Sequence, residues 1–225
     1  MKNSMLDKKE SISSDERNRE VLMLDCQFNL RVDNKTHVPI IEKYDVTDIP
    51  DRMIAFNDAI SSSQKDRDAI VHFYIDDYRF QNIFRNPDRY IPLLKEYKYV
   101  IGPDRSQYIE MPWFSRYANC CMNKALTVYM QKCGVHIIAN VTWSLPDSYD
   151  YSFSGIPRDS VIAINSNGVN AHRDSKYLWY KGYAEAVKRI QPSRIIRYGQ
   201  KMEDEKESIS VYFDNNFIRR MRYGS

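Results

Sequence analysis

Three aspartates stand where apolar runs end, and they are the first residues in this chain with chemistry to offer. Asp76 and Asp77 close the run Ala69-Ile-Val-His-Phe-Tyr-Ile75, and Asp104 follows Tyr99-Val-Ile-Gly-Pro103. Polar or aromatic residues stand at three further exits: Thr142 with Trp143, Asn165 with Ser166, and Tyr198. Mg2+ takes oxygen ligands, commonly one or two carboxylates beside substrate oxygens, and an ion so held supports phosphodiester cleavage. Asp76, Asp77 and Asp104 are therefore the candidate catalytic residues, with Mg2+ as the candidate cofactor. Aspartate at a strand exit also caps turns and helices, so a structural role stands beside the catalytic one. A glycosidase would need a second carboxylate at an exit, and Glu110 lies in a loop instead. Ser166 sits in Asn-Ser-Asn-Gly, without the Gly-x-Ser-x-Gly elbow of a nucleophile. His72 and His136 lie inside strand-like runs and read as packed core. No phosphate-cradling glycine motif is present among the seven glycines.

A second chemistry is recognition of a planar ligand. Arg105, Ser106, Tyr108 and Trp113 follow the second run, and Trp143, Phe153, Asn165, Ser166 and Tyr198 accompany the later ones. Aromatic rings with amides suit stacking on a base, sugar or similar ligand; a packed loop cluster is the alternative. A third is phosphate binding by Arg219, Arg220 and Arg222, set among Phe217 and Tyr223. Guanidinium plus ring is what a nucleic-acid surface uses, although a basic edge strand is also protected from aggregation this way. A net charge of +3 is too mild to argue nucleic-acid binding by itself.

The elements that must position these residues alternate. The runs at 69–75, 99–101, 135–143, 161–165 and 194–198 are near-continuously apolar, as strands buried on both faces are. Between them, Phe114, Tyr117, Ala118, Cys121, Ala125, Val128 and Tyr129 follow the helical period up to Lys132, with Gly134 as a terminator. A second long helix is expected over about 175–190, stopped by Pro192. Pro50-Asp51 opens a short helix carrying Met53, Phe56 and Ile60. Residues 144–160 lack a helical period and are expected to form a lid or rim over the site, since long irregular loops are more often functional than idle. Residues 209–219 read as a β-hairpin around Asp214-Asn-Asn216.

The expected fold class is α/β: a largely parallel sheet of about five strands with flanking helices and a C-terminal β-hairpin. A doubly wound sheet is the first expectation and a partial βα barrel the second; both gather ligands at the carboxyl ends of the strands. Residues 1–20 are polar and charged, expected as a disordered or loosely attached segment. Residues 21–200 form one α/β domain, and 201–225 a charged hinge with the basic hairpin. The four cysteines lack metal-ligand spacing and read as reduced thiols. No apolar run approaches the roughly 18–20 residues of a membrane span, and no signal-peptide core opens the chain. A cytoplasmic protein without a membrane partner is expected.

Five ordered stretches carry a resemblance: Ile-Gly-Pro-Asp-Arg-Ser-Gln-Tyr (101–108), Ile-Ala-Asn-Val-Thr-Trp (138–143), Phe-Ser-Gly-Ile-Pro (153–157), Val-Ile-Ala-Ile-Asn-Ser-Asn-Gly (161–168) and Pro-Ser-Arg-Ile-Ile-Arg-Tyr-Gly (192–199). Over roughly residues 70–200 the chain resembles the family catalogued as domain of unknown function 4417. Ala139 stands where that family tends to have Pro, Asn165 where it has Ser, and Arg105 where an aromatic is common. The last two lie beside the proposed site and bear on its ligand preference. The resemblance implies a bacterial, phage or mobile-element accessory protein. Such a protein would act on nucleic acid or a host nucleoprotein, including counter-defence against a CRISPR nuclease.

Overall fold

Short apolar runs pair side by side in the order in which they occur. The computed structural model describes residues 13–21, 26–27, 29–61, 67–169, 173–203 and 207–214. Among them the sheet has seven strands: β1 (Met53–Ala55), β2 (Ile70–His72), β3 (Tyr99–Ile101), β4 (Ile137–Asn140), β5 (Val161–Asn165), β6 (Arg194–Tyr198) and β7 (Ser210–Phe213). Every neighbouring pair is parallel, and spatial order equals chain order. A doubly wound sheet needs a reversal of strand order, so the doubly wound expectation gives way to the partial-barrel one.

The helices are α1 (Ser14–Val21), α2 (Phe56–Ser61), α3 (Gln81–Arg85), α4 (Ile91–Leu94), α5 (Trp113–Lys132), α6 (Tyr149–Phe153) and α7 (Arg173–Ile190). Helix α1 is exposed and begins with a reciprocal box: Glu16 N–H donates to Ser13 Oγ and Ser13 N–H to Glu16 Oε2. Among the described residues no helix is long and apolar enough to cross a membrane.

Strand alternation sorts side chains onto two faces. Val71, Phe73, Val100 and Ile137 pack under α2 to α5, and Ala139, Val141, Ile162, Ile164 and Ile195 pack under α6 and α7. The other face carries Met53, Ile70, Tyr74, Tyr99, Ile101, Ile138, Ala163, Ile196, Tyr198 and Phe213, and no helix residue joins that cluster. An extended segment crosses its lower end, where Tyr44 meets Tyr99 edge-on at 6.2 Å and stacks on His136 at 5.1 Å.

This helix-free face is concave. Tyr198 of β6 lies with its ring centroid 4.4 Å from that of His72 on β2, and 5.1 Å from that of Tyr74. Four strand spacings in a flat sheet come to about 19 Å. The sheet must therefore curl into a half-barrel, with rings from both sides meeting across it.

Several expectations need correction. The strand count is seven, because β1 and β7 extend both edges. Met53 and Phe56 have helical spacing, yet pairing with β2 takes Met53–Ala55 into the sheet and the helix starts only at Phe56. β7 pairs parallel to β6, and the segment expected as the return strand of a hairpin lies outside the described residues. Residues 144–160 do not cover the concave face. They hold a 3-10 turn (Pro146–Ser148) and α6, and Tyr149, Phe153 and Ile156 are buried in the outer layer with Trp179 and Tyr183. Lys124 of α5 fixes this stretch, its Nζ donating to the carbonyls of Tyr151 (2.7 Å), Ser152 (3.1 Å) and Ser154. Burial pushes that amine below its ordinary value.

Gly102 lets β3 leave the sheet beneath α5. A Cβ built there would lie 2.6 Å from Thr127 Oγ1. We expect Gly102→Ala to cost about 1–3 kcal/mol, seen as a fall in Tm by thermal denaturation. Adding Thr127→Ala, which removes the clashing oxygen, should recover most of it. An unchanged Tm in the single variant would mean that the strand exit has room to spare.

Candidate functional site

Above the ring layer, the concave face turns polar. Asn140 occupies the inward position at the end of β4 and joins two groups from other strands. Its Oδ1 accepts from Tyr74 Oη at 3.0 Å, and its Nδ2 donates to Asp104 Oδ1 at 2.9 Å and to the Pro103 carbonyl at 3.1 Å. Asn165 and Thr142 also hydrogen-bond the Asp104 carboxyl. Asn165 is itself fixed, its Oδ1 accepting from Asn167 N–H at 2.8 Å. Five consecutive strands, β2 to β6, thus contribute to one mouth: Tyr74, Asp104, Asn140 with Thr142, Asn165 and Tyr198. The rings of His72, Tyr74 and Tyr198 are buried as its floor, while Asp104, Asn140, Thr142 and Asn165 keep part of their surface in solvent.

The electrostatics follow from this placement. Burial pushes the Asp104 carboxyl up from 3.8 to about 6; the bonds from Asn140, Asn165 and Thr142 oppose the rise, and the charge of Asp77 adds to it. Among the described residues Asp104 has no ion-pair partner. Burial holds Tyr74 well above the usual phenol range. It also drops His72 to about 3, so the imidazole is neutral, and its Nδ1 accepts from Tyr74 N–H at 3.2 Å. A carboxyl near 6 with a polar, partly wet setting has the properties of a general acid or base working near neutrality.

The other candidate residues are distributed differently. Asp77 is half-buried and accepts from Ser106 through its backbone N–H (3.1 Å) and Oγ (2.9 Å), so it clasps the loop after β3. Asp76 is exposed and pairs with Arg79 at 3.5 Å. The three carboxylates therefore bond different partners, although the charge of Asp77 acts on Asp104. Among the described residues no group of three or more His, Cys, Asp or Glu side chains could hold a metal ion. Arg105 lies over the Phe84 ring at 4.9 Å, its backbone held by Asn123. Tyr108 and Trp113 are exposed, Trp113 stacking on Tyr117 at 5.2 Å.

Trp143 and Phe153 lie in the outer layer, 5.9 Å apart by ring centroid. Trp143 follows the inward Thr142, and one residue of alternation sends its side chain to the helix side. There it packs so closely on α7 that a Cβ at Gly182 would fall 1.9 Å from its Nε1. Ser166 is buried and donates to the carbonyls of Tyr198 and Gln200, at 3.2 and 2.6 Å, tying two strand exits together. Arg219, Arg220 and Arg222 lie outside the described residues. Of the residues proposed from sequence, Asp104, Asn165 and Tyr198 meet at the mouth.

Sequence reasoning missed Tyr74 and Asn140 and set His72 aside as core. A signal for Asn140 exists. It is a lone amide in an apolar strand, two positions before Thr142 and so on the same face.

The folded state binds a proton at Asp104 between pH 3.8 and about 6 that the unfolded chain has already released. Stability from this group is therefore present below pH 3.8 and falls as pH rises through about 6. A two-unit shift corresponds to about 2.7 kcal/mol, and partial exposure screens it. We expect Asp104→Asn, which retains the acceptor for Asn140, to be more stable than the parent by about 1–2 kcal/mol at pH 8 and equal to it near pH 3.5. Denaturant melts at the two pH values check this; equal curves at pH 8 would refute the assigned environment.

Comparison with known proteins gives relatives of phage origin. The chain is 32% identical over 130 residues to the Gene 1 protein of Mycobacterium phage L5, and 30% identical over 130 residues to the Gene 1 protein of Mycobacterium phage D29. The matched stretch is 58% of this chain in both cases, and 57% and 48% of those proteins, so the chain spans about half the length of the curated relatives it matches. No solved structure gives a significant match. The family described as domain of unknown function (DUF4417) matches residues 31–215, through the whole described sheet, and the chain belongs to that family.

Proposed function

We propose that this protein binds a small polar ligand at the mouth of the half-barrel and that Asp104 exchanges a proton with it. The observation that carries this reading is Asp104 itself. The carboxyl is raised to about 6, held by three uncharged donors, and keeps a solvent-facing side. Fixed amides on β4 and β5 supply orientation, and the buried rings keep the floor dry and rigid, as ligand sites require. Parallel sheets place their sites at this end of the strands. Native mass spectrometry of protein purified from bacterial cells, followed by a thermal-shift screen of neutral and charged metabolites, tests it. A ligand should raise Tm by several degrees at concentrations far above Kd. Asn140→Leu, which removes the bridge between Tyr74 and Asp104, should abolish the shift. Retention of full ligand response in Asn140→Leu would refute the reading.

A second reading is action on nucleic acid or a host nucleoprotein by binding, including inhibition of a CRISPR nuclease. It draws on the phage relatives and on an exposed aromatic edge: Tyr78, Tyr108 and Ile109 in the connections after β2 and β3, with Trp113 and Phe114 at the start of α5, beside Arg79 and Arg105. Stacking platforms for single strands combine such rings with guanidinium groups. Charge reversal at Arg219, Arg220 and Arg222 together with Trp113→Ala should weaken single-stranded DNA or RNA binding by at least about tenfold at low salt. Gel-shift titration with and without Mg2+ checks this, and unchanged binding rejects the reading.

A further inference from the structure

Asp104 is surrounded by donors that carry no charge. Asn140, Asn165 and Thr142 hydrogen-bond it, and the charge acting on it from the neighbouring loop is another carboxylate, Asp77. Arg105 is directed elsewhere, over Phe84, and Arg197 lies on the opposite face of the sheet with its guanidinium 4.5 Å over Trp179. His72 is neutral. Beneath the carboxyl lie the rings of Tyr74 and Tyr198, stacked on one another at 5.1 Å. The mouth therefore has a negative centre, amide neighbours and an aromatic floor; the charge of Arg197 reaches Tyr74 from the other face, but among the described residues no cationic side chain pairs with Asp104 itself.

From this arrangement, and resting on the ligand-site reading above, we infer that the mouth recognises a small organic cation bearing N–H donors, of the amidinium, guanidinium or protonated amine class, rather than an anion such as a phosphate. The cation supplies the counter-charge that the fold does not. Its N–H groups meet Asp104 in the charge-assisted geometry that carboxylates favour, while the Asn140 and Asn165 amides, already anchored to Asp104, hold that carboxylate in one orientation. A ligand carrying a phosphate would face the Asp104 carboxylate, with which no basic side chain pairs among the described residues.

Benzamidine and benzamide have nearly the same shape and differ in charge, so they isolate this inference. Titration calorimetry at pH 7.5 should show benzamidine binding at least tenfold more tightly than benzamide, and inorganic phosphate not binding. Asp104→Asn should remove the tenfold preference. Thr142→Lys places an ammonium in the mouth and should block benzamidine, giving a second route if Asp104→Asn folds poorly. Equal affinities for the two probes, or phosphate binding that Asp104→Asn leaves intact, would overturn the inference. If benzamide or another neutral metabolite binds in an Asn140-dependent manner without any preference for the cation, the ligand site stands and only the charge assignment falls. If MgCl2 alone is bound through Asp104, the organic-cation class is wrong.

Discussion

Tyr198 touches His72 and Tyr74 across the sheet, and the functional geometry depends on that contact. The three rings come from strands four spacings apart, so their meeting requires the curl of the sheet. Sequential parallel order keeps every connecting helix on one side, leaving the other side for side chains alone. Once curled, the strand exits face one another, and groups distant in sequence come within hydrogen-bond reach. Asn140 then bridges Tyr74 and Asp104, residues that lie 30 positions apart just beyond the ends of β2 and β3.

The two faces divide the labour between rigidity and chemistry. On the outer face α5 and α7 are locked by close approaches: Thr127 to Gly102, Trp143 to Gly182, and Lys124 to the carbonyls that end α6. These contacts leave little freedom to the strand exits they support. On the inner face the polar bridge of Tyr74, Asn140 and Asp104 stands on a ring layer with almost no exposed surface. A carboxyl raised to about 6 works against stability at neutral pH.

Much of this was legible from residue patterns. The helical period over Trp113–Lys132 and near Arg173–Ile190 is regular, and the apolar runs of β2 to β6 are unmistakable. The strand-exit logic brought Asp104, Asn165 and Tyr198 to attention. Three things were not legible, each for a physical reason. Met53–Ala55 has helix-like spacing, and only pairing with β2 makes it a strand. Trp143 and Thr142 are adjacent, so which of them faces the mouth depends on strand parity that a lone apolar run does not reveal. The meeting of β2 with β6 depends on curl, a property of the assembled sheet, so neither Tyr74 nor His72 could be assigned to a site from its own neighbourhood.

The central claim is that Asp104 is a carboxyl without a counter-charge, held by neutral donors in the concave mouth. Carbon-13-detected NMR titration of its side-chain carboxyl, assigned by comparison with Asp104→Asn, addresses this directly. The account predicts a midpoint of about 6. A midpoint at the ordinary 3.8 would contradict it.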